Sequence, residues 1–442
     1  MLRNASHRPP AGRATSQAAR RAVRRAARKA IRRDVRRAVR RRGPRRIACL
    51  AALLSLAAAC DSADPAARRA EVAGPAGEPI VIGMDEDSSG PGASYGVPAG
   101  RTVRDAVRDI NRRGGVLGRP LKLVVENDAS DPTKTPSVVR KLLGEGAKAV
   151  ILSTGGGSVL QAKPVLQGAR VPAFAPVAIS EGAVTPPNAD YVFMLGNPIS
   201  DFTKVYCAAM KQAGYRRLGV MTDLSPTIVA LNRILLPKLR ACVDVVGVEQ
   251  AELGSSDVTP QVARLKRHDP DAVFVSSVGG IYEILIQNKL AEQMPGLARY
   301  SLASIGNQPG FWKVANPRAL DGLAFMGALV PGNPRAEALR GFLTRERGGR
   351  FEMTAYDAQA WDSVQLIKTA IERARSLDGN RLKQELEKLR GYRPAFGQSR
   401  LTLSFAPGKH IGADGLCGLA LVEFGRGNRP GGMQHGYQPQ CG

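Results

Sequence analysis

From Pro79 onward the apolar positions of this chain alternate between short unbroken runs and longer stretches spaced every three or four residues. The first form marks buried strands; the second marks helices with one face in a core. Pro79 to Met84 reads as a strand, and Gly100 to Arg113 as a helix through Val103, Ala106, Val107 and Ile110. Leu121 to Asn127 is a second strand and Pro136 to Glu145 a second helix. Ala147 to Ser153, Val159 to Gly168 and Ala173 to Pro176 continue as strand, helix and short strand. The alternation restarts with helix Phe202 to Ala213, strand Arg217 to Thr222, helix Ile228 to Ala241, strand Asp244 to Gln250 and helix Val258 to Arg267. Strand Ala272 to Ser277 and helix Ile281 to Gln293 follow. Tyr356 to Arg375 is a long helix and Arg381 to Lys388 a shorter one, with late strands at Leu401 to Phe405 and Leu419 to Phe424. Such alternation predicts an α/β protein whose parallel sheets carry helices on both faces. Its length exceeds one sheet unit of ordinary size, so two lobes are expected. Residues 61–78 have no periodicity and read as a flexible tether, and 425–442 as an irregular Gly/Pro-rich tail.

Charge changes the picture at the N-terminus. The 442 residues carry a net +26, which taken alone suggests a nucleic-acid binder. Residues 1–46 hold 18 Lys+Arg and one acid, Asp34; from Cys60 the balance is 46 basic to 37 acidic residues, too mild to imply a polyanionic partner. The head repeats units such as Arg20-Arg21-Ala22-Val23 and Arg24-Arg25-Ala26-Ala27, which would set a basic face beside an Ala/Val stripe. Plainer readings are an overlong signal n-region, or a true start near Val35 or Val39. A nucleic-acid role would require residues 1–46 to survive in the mature protein. Ile47 to Ala59 is 13 uncharged residues, short of the ~20 that span a bilayer, and it ends in small residues as secretory signals do. Leu56-Ala57-Ala58-Ala59-Cys60 resembles the lipobox of bacterial lipoproteins, with Ala57 where that motif has leucine. The resemblance implies that Cys60 is lipidated and that the exported chain is anchored to the outer face of the cytoplasmic membrane.

Beyond Cys49 and Cys60 the cysteines are Cys207, Cys242, Cys417 and Cys441. In an exported protein they allow two disulfides, and proximity favours Cys207 with Cys242 and Cys417 with Cys441. No pair has metal-ligand spacing. No nucleophile with a base emerges, His268 and His410 read as surface residues, and neither enzyme chemistry nor a cofactor is expected. The most suggestive local chemistry is Ser153-Thr154-Gly155-Gly156-Gly157-Ser158, a glycine run between a buried strand and a helix. Helix N-termini present unpaired N–H groups to anions, and glycines allow close approach. No Gly-Lys-Ser/Thr follows, so it is not a nucleotide loop. A plain tight turn is the alternative.

Asp109-Ile110-Asn111-Arg112-Arg113-Gly114-Gly115-Val116-Leu117-Gly118-Arg119-Pro120-Leu121 closes a helix with a glycine pair and turns into a strand. Followed by Asn127-Asp128 and Asp131-Pro132, it resembles the branched-chain amino-acid-binding (Leu/Ile/Val-type) family of ABC-importer substrate receptors. Ser89 to Gly96, Gly306-Asn307 and Tyr356-Asp357-Ala358 fit that family as well, and the likeness runs from about Pro79 to Phe424. It implies a two-lobed type I periplasmic-binding fold with three hinge strands. Residues 79–196 and 327–396 would form the first lobe, and 197–326 and 397–424 the second. In that family a ligand carboxylate is held by a serine and by amides of the glycine-run loop. The matching place here is Gly156, beside Gly155 and Gly157, with Ser158 two residues on. Ala178, Ile179 and Ser180 match a second contact loop, in which Ile179 replaces a threonine. Tyr95 and Tyr356 fall at the cleft, Tyr95 as its aromatic wall. The family's acid for a ligand ammonium corresponds to Ser304, Asp223 persists from a second-lobe loop, and Val278 replaces part of a loop often bearing aromatics. Asp223 or Glu283 is left to supply the missing charge.

The resemblance therefore implies a lipid-anchored receptor outside the cytoplasm. It would bind a small amino-acid-like or carboxylate ligand between its lobes and deliver it to the permease subunits of an ABC importer, with no nucleic-acid partner. The alternative is a sensor of the same fold that signals to a membrane regulator.

Overall fold

The structure, a computed structural model, describes residues 77–349 and 351–433. The basic head, the apolar run Ile47 to Ala59, Cys60, most of the tether and Cys441 lie outside the described residues. No helix among the described residues is long and apolar enough to cross a membrane.

A first sheet gathers β1 (Ile80–Glu86), β2 (Leu121–Glu126), β3 (Ala149–Ser153), β4 (Ala173–Phe174) and β5 (Val192–Phe193) in the order β2-β1-β3-β4-β5. All of its pairings are parallel. β1 and β3 read as near-continuous apolar runs because helices cover both faces. Those crossovers are α1 (Ala93–Arg112), α2 (Thr135–Gly144) and α3 (Gly156–Ala169). The second sheet holds β6 (Arg217–Asp223), β7 (Asp244–Ala251), β8 (Ala272–Ser276), β9 (Ala298–Ser301), β10 (Leu323–Gly327), β11 (Ala420–Gly425) and β12 (Arg429–Met433), in the order β12-β11-β10-β9-β8-β6-β7. Its last two strands are antiparallel. α4 (Ile199–Gln212), α5 (Pro226–Arg240), α6 (Thr259–Lys266), α7 (Gly280–Gln293) and the short α8 (Pro309–Trp312) belong to this half. α9 (Pro334–Arg347), α10 (Ala355–Ala374) and α11 (Gly379–Glu387) return to the first core. Cys207 on α4 is bonded to Cys242 just past α5.

Four differences from the sequence reading have physical causes. The first helix begins at Ala93, seven residues before Gly100. Its glycines, which read as loop, serve close packing: a Cβ at Gly96 would lie 2.5 Å from the Asp87 carbonyl oxygen, and one at Gly100 an equal distance from the Glu86 carboxyl. Second, residues 397–417 do not join the second lobe. Leu401, Leu403 and Phe405 are at most 1% exposed within the first core, with Phe405 edge-on to Phe174 and Phe193. Each such burial is worth about 1.5–3 kcal/mol, which holds the segment there. It does so through isolated bridges, Met194 with Ile411 and Leu403 with Tyr392 and Ala413, and not as the strand expected over Leu401 to Phe405. Third, His410 is buried, stacked 4.1 Å from Phe193 with Nε2 3.1 Å from Glu387 Oε1; His268 is exposed. Fourth, part of the tail pairs as β12 with β11.

One buried ionic group ties the helices of the first lobe. Arg347, at the end of α9, donates to Asp105 Oδ2 on α1 at 2.8 Å, to Asp357 Oδ1 on α10 at 3.1 Å and to Thr102 Oγ1 at 2.6 Å. Thr102 Oγ1 in turn donates to Asp357 at 2.6 Å. Asp357 also completes a capping box with Thr354, which fixes the N-terminus of α10.

Candidate functional site

The chain crosses between the lobes after β5, after β10 and near Gly418, and the cleft between the lobes lies against these crossings. About 80 Å³ within it can be occupied by water-sized groups, room for a small ligand. From the first lobe it is lined by Tyr95, Gly155, Gly156, the loop 177–180, Tyr356 and Gln359. From the second come Phe202, Thr227, Leu231, Val278, Ser304 and Asn307; Asn197, Met326 and Gly418 lie at the crossings.

Local sequence explains the polar end. β3 is fully buried and stops at Ser153, and Gly155 is the extended N-cap of α3 without a side-chain cap. The first bond from that cap runs from Val159 N–H to Gly155 O at 3.2 Å, so the amides of the first turn remain available. The missing side chain lets its neighbours approach closely here, because a Cβ at Gly155 would lie 2.5 Å from Thr227 Oγ1 and 2.8 Å from the Tyr95 hydroxyl. Thr227 belongs to the second lobe, so the two lobes meet at this loop.

Other bonds cross the cleft. Gln308 Nε2 donates to Ser94 Oγ at 2.8 Å and to Val278 O at 3.0 Å, while its Oε1 accepts from Gly280 N–H at 2.6 Å. One side chain thus caps α7, holds the Val278 loop and reaches the first turn of α1. Asn307 Oδ1 accepts from the Ala355 N–H at 3.4 Å.

Of the residues singled out from sequence, Tyr95, Gly155, Gly156, Ala178, Ile179, Ser180, Val278, Ser304 and Tyr356 line the cleft. Gly157, Ser158 and Asp223 do not. Gly157 faces Pro132, and Ser158 is buried one residue further along α3. Asp223 turns into its own lobe, accepting from Ser225 N–H and Oγ and from Val278 N–H at 2.8 Å. It therefore shapes the Val278 loop from behind. Glu283 is also behind the wall, bonded to Ser301, and burial pushes it up to about 8. Thr227, Asn197, Gln359 and Gln308 escaped the sequence reading. Pro226-Thr227 at the start of α5 was the one local signal available.

Beneath Tyr95 sits a group of acids, Asp85, Asp87 and Asp128, with no basic partner among the described residues. Asp85 accepts from Asp128 N–H at 3.2 Å, and Asp128 accepts from Ser130 N–H and Thr135 Oγ1. Burial, together with the neighbouring Asp128, pushes both Asp85 and Asp87 up to about 8. Burial raises the Tyr95 hydroxyl well above its usual range too, with Asp87 adding to it. An acid whose folded pKa is raised contributes its full stability below the unfolded value, about 4, and loses it as pH rises through the folded value. The melting temperature is therefore expected to fall as pH rises from about 4 through about 8, and Asp87→Asn to flatten that slope in a thermal-denaturation series.

A family model for periplasmic binding proteins matches residues 79–411 of the chain. The Leu/Ile/Val-binding protein of Citrobacter freundii is 27% identical over 295 residues, covering 63% of this chain and 77% of that protein. Among solved structures, the branched-chain amino-acid transporter substrate-binding protein LivJ of Streptococcus pneumoniae, in complex with isoleucine, superposes with a TM-score of 0.64 at 20% identity, over 78% of this chain and 99% of its own. A branched-chain amino-acid ABC transporter protein from Thermus thermophilus with bound valine gives 0.70 at 18% identity, over 83% and 97%. These likenesses show the two-lobed α/β fold.

Proposed function

The chain belongs to the periplasmic binding protein family, and from that premise we propose that it is a solute receptor outside the cytoplasm, closing two lobes on a small amino-acid-like or carboxylate ligand and delivering it to an ABC importer. The observation that carries this reading is the small cleft lined from both lobes and bordered by the chain crossings. The amides at the start of α3 are the seat for a ligand carboxylate, with Ser180 beside them: a Cβ at Gly156 would come within 3.3 Å of Ser180 Cβ. Val177, Ile179, Leu231 and Val278 face an apolar ligand body. The relatives named for leucine, isoleucine and valine support a ligand of this size. Residues 79–196 with 327–417 would move as one lobe and 197–326 with 418–433 as the other. Lipidation at Cys60 would keep the receptor at the membrane surface, near its permease.

A thermal-shift screen of the purified protein against amino acids, short carboxylates, amides and polyols tests the reading. A ligand at 100 times its Kd should add about 2.7 kcal/mol of stability, and silence across the panel would refute a solute-receptor role. Closure is expected to depend on the Gln308–Ser94 bond. Ser94→Ala removes the cross-lobe bond but leaves both Gln308 bonds within its own lobe. It should weaken ligand binding by about 2–10-fold, the worth of one hydrogen bond, while leaving ligand-free stability nearly unchanged; isothermal titration and a melting curve measure the two.

A further inference from the structure

The described lining of the cleft contains no Asp, Glu, Lys, Arg or His. Any charge on a ligand must therefore be met by backbone dipoles and neutral side chains. A carboxylate is well served by the open first turn of α3, where N–H groups and the positive end of the helix dipole coincide. An α-ammonium is not. Attached one carbon from the carboxylate, it would lie beside the same positive helix end. Two carbonyls of the adjoining loop are already engaged, Ile179 O by Ile199 N–H at 2.6 Å and Ser180 O by Ala183 N–H at 3.1 Å, and the acceptors left, such as Asn197 Oδ1, are neutral. The Ser304 hydroxyl donates to Ser277 O at 2.6 Å, so its oxygen can accept a bond but brings no negative charge to match a cation. Asp223 is turned away, and Glu283 lies behind the wall bonded to Ser301. A buried cation left without an anionic partner is costly.

Resting on the receptor reading above, we propose that the ligand is a short, apolar-bodied monocarboxylate that lacks an ammonium group. The small cleft volume and the aliphatic wall set its size and body, and the start of α3 sets its charged end.

Isothermal titration of the purified protein with two matched pairs tests this: leucine against isocaproate, which is leucine without its amino group, and valine against isovalerate. The expected result is that a des-amino acid binds on the order of tenfold or more tighter than its amino acid. Ser304→Asp, which places a carboxylate on the cleft wall, should shift that ratio toward the amino acid. Equal or tighter binding of leucine or valine overturns the proposal, and loss of that binding in Glu283→Gln would name the acid responsible. Binding of only an amide or a polyol from the wider panel also overturns it, while leaving the receptor reading intact. No binding by any compound overturns both.

Discussion

Replacing Arg347 by alanine is expected to cost about 3–5 kcal/mol of folding stability, the usual penalty for removing one partner of a buried ion pair. Asp105 and Asp357 are each 1% exposed, and Arg347 is the guanidinium shared between them. Without it, Asp105 keeps only the half-exposed Arg108 and the buried Asp357 carboxylate loses its guanidinium partner, the two acids facing each other across Thr102. The loss would not be confined to charge, because the guanidinium also lies 4.3 Å from the Phe351 ring centroid. Denaturant unfolding measures the effect as a lower midpoint at unchanged slope. Arg347→Lys should fall between wild type and alanine, since an ammonium keeps the charge but not the fork that spans Asp105, Asp357 and Thr102. A result within about 0.5 kcal/mol of wild type would mean that water reaches the site freely. The consequence extends to the cleft: Asp357 caps α10, the helix whose first turn carries Tyr356.

The second large effect concerns closure. Gly155→Val should fold normally, since φ at this position is −66° and suits any residue. Its side chain, however, would enter space held by Thr227 from the other lobe and by the Tyr95 hydroxyl. Forcing extra methyl groups into such a contact typically costs about 1–3 kcal/mol. The collision with Thr227 falls only on the closed form, whereas Tyr95 belongs to the same lobe as Gly155, so ligand affinity should drop by about 5–150-fold and the melting temperature of the ligand-free protein by a smaller, Tyr95-dependent share. Titration and melting curves separate the two. Combining Thr227→Ala with Gly155→Val should recover part of the lost affinity, because it vacates the nearer of the two collisions. A Gly155→Val protein that binds as tightly as wild type would show that the lobes do not meet at this loop when ligand is held.

The α/β alternation was legible because parallel strands covered on both faces appear as apolar runs, and β1, β3, β6 and β8 were placed this way. β9 escaped because Arg299 interrupts its run. That side chain is buried, yet its charge is met by carbonyls distant in sequence, Ala319 and Asp321 at 2.8 Å for the latter. α9 was missed despite Asn333 as its N-cap and Pro334 in its first turn, because arginines crowd its narrow apolar stripe of Ala336, Leu339 and Leu343. At the cleft, the glycine run could be read because its chemistry is local. Asn197, Gln359 and Gln308 could not, since each acquires its role from a neighbour far along the chain: Gly415, Gly196 and Ser94 respectively. Asp223 shows the opposite error, in which a charged residue at a strand end looked like a ligand contact and proved to be a loop brace.

The placement of residues 397–417 also fixes an order of events during synthesis. β1 starts at Ile80, but the aromatic floor on which the first sheet rests includes Phe405 and comes from a segment made more than 300 residues later. The first lobe therefore lacks a complete core until nearly all of the chain has left the ribosome. The second sheet waits as long, because β11 pairs with β10 and Leu419 and Leu421 complete its core. A nascent chain in which neither lobe closes before its last segment emerges departs from the common N-terminal-first order. The two cores thus close late and together, each needing residues from Leu401 onward before it is complete.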